Sequence, residues 1–144
     1  MFSTKLSAAK NYTTVGVTSG VMSASPHGLV LMLFEGAIIA VSAARMHIQI
    51  GRTADKAQAI SKAVAIIQDG LMASLDRDSG GEIAEQLFSL YKYMVARLTE
   101  ANIGNRAEPL EEVGRLLAEL NGAWQAIGKH SQTRAALSAS EDGI

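Results

Sequence analysis

His27, His47 and His130 are the side chains in this sequence best suited to proton transfer or metal ligation near neutral pH. A helical di-metal centre usually takes Glu-x-x-His on inward helix faces. No glutamate here is followed three residues later by histidine. The histidines fall instead at a helix start, near a helix end and in a polar tail, without the spacing of a metal site. Gly122 to Lys129 comes near a phosphate-loop pattern, but carries one residue too many between its glycines and His130 where Ser or Thr is needed. Ser79-Gly80-Gly81 reads as a loop and helix cap. Cysteine is absent, which removes thiolate chemistry and disulfides and fits a cytoplasmic chain. With no acid–base pair at a usable spacing, the reading is not an enzyme, with no cofactor and no metal.

What remains is apolar surface on helices. Hydrophobic residues make up 48% of the 144 residues, aromatics only 5% and charged residues 19%. A chain rich in Ala, Leu, Ile, Val and Met but poor in aromatics favours helices over a β-sandwich. The net charge of −1, with no basic cluster, gives no case for nucleic acid. The run from Leu29 to Ile50 is the greasiest, yet Glu35, Arg45 and His47 interrupt it. Charges at those depths are costly in a bilayer, so no membrane insertion is expected. The first residues have no apolar run of the kind a secretory signal needs.

Four helices follow from caps and stripes. Ser25-Pro26 supplies an N-cap and a first-turn proline for a helix from about Pro26 to Ile50, ending at Gly51. Thr53 is placed to cap a second helix, whose stripe is Ile60, Val64, Ile67, Leu71 and Leu75. Ser79-x-x-Glu82 matches a capping box for a third, with Ile83, Leu87, Leu90, Tyr91, Met94 and Leu98 on its apolar side. A turn at 102–105 precedes a fourth, with Pro109 in its first turn, Val113, Leu117, Leu120, Trp124 and Ile127 along one face, and Gly128 as its end. The fold class is all-α: an antiparallel four-helix bundle with a flexible N-terminal arm and a disordered C-terminal tail. The divisions are arm 1–24, bundle 25–128 and tail 129–144.

The first helix is apolar on two sides. One stripe runs through Val30, Leu33, Ala37, Val41, Ala44 and Ile48, and a second through Leu29, Met32, Ile39 and Met46. The reading adopted is that it is the central helix, covered by three neighbours, so that the functional surface lies on the helices around it. Apolar residues left over there include Ala59, Ala63, Ile66 and Ala73 on the second helix and Phe88 and Val95 on the third. Such patches mark partner sites, and a helix laid in a groove suits a bundle. Tyr91 and Tyr93 lie about 200° apart on a helix, so only one of them points inward and the other is a groove candidate. Trp124 completes the fourth stripe and reads as core. From the residues alone this is a helical interaction protein, and a helical adaptor for some amphipathic client stays open as an alternative.

VMSASPHGLVLMLFEGAI at 21–38 resembles the first-helix signature of the flagellar secretion chaperones of the FliS family. The likeness continues through KAVAIIQDGLMASLD, GGEIAEQLFSLYKYMVARLTEAN and LEEVGRLLAELNGAW, covering about 25–125 in order. The resemblance implies a cytoplasmic export chaperone that binds the disordered C-terminal segment of flagellin and prevents premature polymerisation. It also implies delivery to the cytosolic domain of the flagellar type III export gate. Candidate flagellin contacts are Tyr12, Ile66, Met72, Ala73, Phe88, Tyr91, Met94 and Val95, with plain core filling an equal reading for Met72 and Met94. Whether the free chain is a homodimer through its groove surface is left open.

The family's arm bears a tyrosine held to lie over the client groove, and Tyr12 stands at that place with Leu6 and Val15 as further lid residues. This chain departs from the family pattern at Ala9, where an apolar anchor is usual, and at Gly28, where a larger polar residue is. If the arm competes with client, deleting residues 2–18 will change client affinity in a titration; superimposable curves would refute the lid.

Overall fold

The computed structural model describes residues 25–142, and their side chains as far as residue 128. Helix α1 spans Pro26–Gln49; α2 spans Thr53–Ala65 and runs on into a π-helical segment, Ile66–Met72. Helix α3 spans Gly81–Gly104 and α4 spans Glu108–Asp142. Short loops force neighbours antiparallel. The helices pack in a ring, α1 on α2, α2 on α3, α3 on α4 and α4 back on α1. The antiparallel four-helix bundle expected from the stripes is what forms. Leu6, Tyr12 and Val15 lie outside the described residues.

Some ends follow the sequence reading and others do not. Ser25 caps α1, its hydroxyl oxygen accepting from the Gly28 amide at 3.1 Å, with Pro26 in the first turn. Thr53, expected as the cap of α2, is its first helical residue, and Arg52 precedes it without a side-chain cap. Ser79 does not cap α3 either: its amide and hydroxyl both donate to the Asp76 carboxylate, and Gly80 takes the cap position. Asp76 is the stronger acceptor, so it wins Ser79 for an Asx turn. The turn expected at 102–105 is mostly helix, which ends when Asn105 turns left-handed at φ 51°.

The expected helix stop at Gly128 also differs, since the backbone stays helical to Asp142. Gly128 serves close packing instead. A Cβ there would overlap the His27 ring, which stacks on Trp124 with centroids 5.0 Å apart and planes 8° from parallel. The Trp124 indole N–H donates to the His27 carbonyl at 3.2 Å.

The core is aliphatic. Phe34, Val41, Ile67, Leu71, Met94, Leu98, Leu110, Val113 and Leu117 are fully buried. In the π segment Ile66, Ile67, Gly70 and Leu71 all turn inward, which the wider i→i+5 turn allows. Gly70 admits Leu33, whose Cδ2 lies 2.8 Å from where a Cβ would stand. The Ser74 hydroxyl donates back to the Gly70 carbonyl at 2.6 Å.

Two polar clasps tie helix ends together. Lys56 is 2% exposed, and its ammonium donates to the Asn102 carbonyl and to Asn105 Oδ1, both at 3.0 Å. It thereby holds α2 to the negative end of the α3 dipole. Across α3 and α4, Glu112 Oε1 accepts from the Tyr93 hydroxyl and from Arg97 Nε, each at 2.7 Å, while Arg97 Nη1 also donates to Glu100.

Replacing Lys56→Met leaves those acceptors unpaired and should lower unfolding free energy by about 1–3 kcal/mol in urea titrations. An unchanged midpoint would show that the clasp contributes nothing. The second clasp has a pH signature. Hydrogen bonds from Tyr93 and then Arg97 hold the Glu112 carboxyl below the ordinary value of 4.5. Its contribution is therefore complete above the unfolded carboxylate range and is lost as pH falls through the lowered folded value. Melting temperature should drop on acidification below about 4.5, and Glu112→Gln should flatten part of that acid limb. A variant with the wild-type acid limb would count against this assignment.

Candidate protein-docking surface

Helix α1 carries two apolar sides, and only one is covered. Leu33, Phe34, Ala37, Ala40, Val41 and Ala44 face inward. Val41 sits against Gly114 of α4, and Leu33 against Gly70. On the other side Met32, Glu35, Ile39, Ser42, Met46 and Gln49 follow one another at spacings of three and four, the period of one helix face. Ile39 is 67% exposed, Met46 52% and Ile50, just past the helix, 58%. The expectation of a central helix covered by three neighbours therefore fails. In a ring of four no helix is central, and α1 packs on two.

The sequence candidates divide by burial. Ile66, Tyr91 and Met94 are 2%, 3% and 0% exposed and belong to the core. Met72, Ala73, Phe88 and Val95 are half-buried. Phe88 is capped by charge: the Arg77 guanidinium lies 3.8 Å from its ring centroid and Lys92 Nζ 5.6 Å. Arg77 is held there by Glu85, whose two carboxylate oxygens accept from its Nε and Nη2 at 2.9 and 3.0 Å. That pairing keeps the Glu85 carboxyl below its ordinary value. Tyr12 falls outside the described residues.

Of the two tyrosines, Tyr91 points inward, its hydroxyl pushed up to about 12 by burial, and Tyr93 points out to Glu112. Trp124 is half-buried, packed against the core and on His27.

Ile66 links the candidate set to the open face of α1. Its Cδ1 lies 3.4 Å from where a Cβ would stand on Gly36, at the edge of that face. The π segment thus packs on α1 at Gly36, one turn from Ile39. The sequence reading missed the stripe of Met32, Ile39 and Met46 as a site, although its seven-residue repeat was visible. Among the described residues no three His, Cys, Asp or Glu side chains gather where they could hold a metal. What the arrangement offers chemically is an apolar helical face with few charges.

Comparison with known proteins places the whole chain. The family model described as flagellar protein FliS matches residues 8–131. The chain is 49% identical over 121 residues to the flagellar secretion chaperone FliS of Salmonella typhimurium (strain LT2), covering 84% of this chain and 90% of that protein. It is 42% identical over 114 residues to the protein of the same name from Escherichia coli (strain K12), covering 79% and 84%. To the flagellar secretion chaperone FliSB of Pseudomonas aeruginosa it is 38% identical over 122 residues, covering 85% and 96%. The match runs from before the first described helix to beyond Gly128, and the chain belongs to the FliS family of flagellar secretion chaperones.

Proposed function

We propose that this chain is a cytoplasmic export chaperone for flagellin. It binds the disordered C-terminal segment of its client, prevents premature polymerisation and hands the client to the cytosolic domain of the flagellar type III export gate. The observation that carries the reading is the open apolar face of α1, in a chain belonging to a family of secretion chaperones. A soluble bundle gains nothing for its own stability from leaving Ile39 and Met46 in water. A client segment that folds as an amphipathic helix on the stripe of Met32, Ile39 and Met46 would cover them.

Coupled folding suits the task. A disordered segment spends part of its interaction energy on ordering itself, so it can cover a long surface and still be released at the gate. The half-buried Met72, Ala73, Phe88 and Val95 offer further contacts as the segment continues around the bundle. The arm with Leu6, Tyr12 and Val15 covers client-binding surface until the client displaces it.

Calorimetric titration with flagellin that carries or lacks its C-terminal segment tests this directly. Binding should require the segment. Ile39→Asp should weaken it by roughly tenfold or more, since losing one buried aliphatic contact removes about 1.5–3 kcal/mol. Its melting temperature should stay near wild type, because the side chain is exposed in the free protein. Affinity that ignores the segment would sink the assignment, and affinity that ignores Ile39→Asp would move the site off α1.

A further inference from the structure

We infer that the client helix lies on α1 antiparallel to it, with a basic side chain over Glu35 and an acidic one over Arg45. This rests on the proposed client site and adds the charge and the direction of its occupant. Met32, Ile39 and Met46 recur every seven residues, with Ile50 extending the row. They form a narrow seam of the kind against which one further helix packs. Glu35, Ser42, Arg45 and Gln49 are all exposed and run along the flank of that seam that turns toward α4. Charged residues beside such a seam choose the partner and its orientation.

Apart from its two histidines, α1 carries no ionisable side chain but these two, Glu35 and Arg45. Among the described residues no ion pair involves Glu35. Arg45 holds there only a long contact to Glu111, 3.7 Å between exposed groups, which leaves donors for a second carboxylate. The two charges stand about 15 Å apart along the helix. A client helix that answers both carries its own opposite charges at about the same spacing.

The dipole of the incoming helix sets the direction. A segment that folds on binding gains affinity from whatever stabilises its helix. Acidic groups do so near a helix start and basic groups near its end. Antiparallel docking sets the start of the client helix over Arg45 and its end over Glu35. The acid and the base required there are then the ones its own dipole favours. Parallel docking would require a basic start and an acidic end, and both oppose the dipole. Glu35 and Arg45 are thus specificity residues, selecting an acid-to-base order among segments that are merely amphipathic.

The full-length chain has no cysteine of its own, so Met32→Cys and Gln49→Cys can each carry one photo-crosslinker, about 25 Å apart on α1. With flagellin bound, residues linked from the Gln49→Cys label should precede those linked from the Met32→Cys label by roughly 17 residues of the flagellin sequence. Glu35→Lys should weaken flagellin binding by roughly threefold to tenfold at low salt, and the difference should shrink as salt rises. Arg45→Gln, which avoids setting a carboxylate against Glu111, should weaken it with the same salt dependence. Arg115→Gln, exposed on α4, removes a positive charge elsewhere and should leave affinity within about twofold. Circular dichroism of each variant confirms that the bundle is intact. Linked residues in the reverse order, or a Glu35→Lys with wild-type affinity at low salt, would overturn the inference and leave the client site on α1 standing. Flagellin captured from neither label would overturn it together with that site.

Discussion

Helix α1 sits deep between its neighbours because side chains are missing where it meets them. Leu33 enters at Gly70 of the π segment, Val41 lies on Gly114, the His27 ring stands where a Cβ of Gly128 would be, and Ile66 comes down on Gly36 of α1 itself. Each notch brings two backbones closer than a pair of larger side chains would permit. The rest of the bundle depends on this close seating. It aligns Phe34 and Val41 with the aliphatic core and sets the wide turn of α2 against Leu33. It also commits α1 to two neighbours, leaving its far side in solvent.

Much of the fold was legible because caps and stripes are local signals. The Ser25-Pro26 start and the burial of Leu71, Leu98 and Leu117 follow from spacing alone. The misreadings arose where a local signal met a stronger competitor. Ser79 is a good cap in isolation, yet the Asp76 carboxylate takes its donors. Gly128 looks like a helix end, yet it is a helical glycine kept small by the His27 ring. The π segment left no mark that a 3.6-residue period could show.

The open face of α1 was harder to read for a different reason. A helix apolar on two sides is compatible with full burial and with one side waiting for a partner, and periodicity cannot separate them. Only the ring arrangement of the helices does so. The same limit applies to Ile66, Tyr91 and Met94, which are apolar enough for a groove but are consumed by the core.

The stacked pair of His27 and Trp124 lies where the described chain begins, at the root of the N-terminal arm. Trp124 is the sole tryptophan of the sequence. Its indole is therefore a built-in optical probe of that junction, with no second tryptophan to overlap it. Movement of the first turn of α1 away from α4 would break both the ring stacking and the indole hydrogen bond, and so change the wavelength and intensity of emission. The chain reports on the seating of the first turn of α1 without a label.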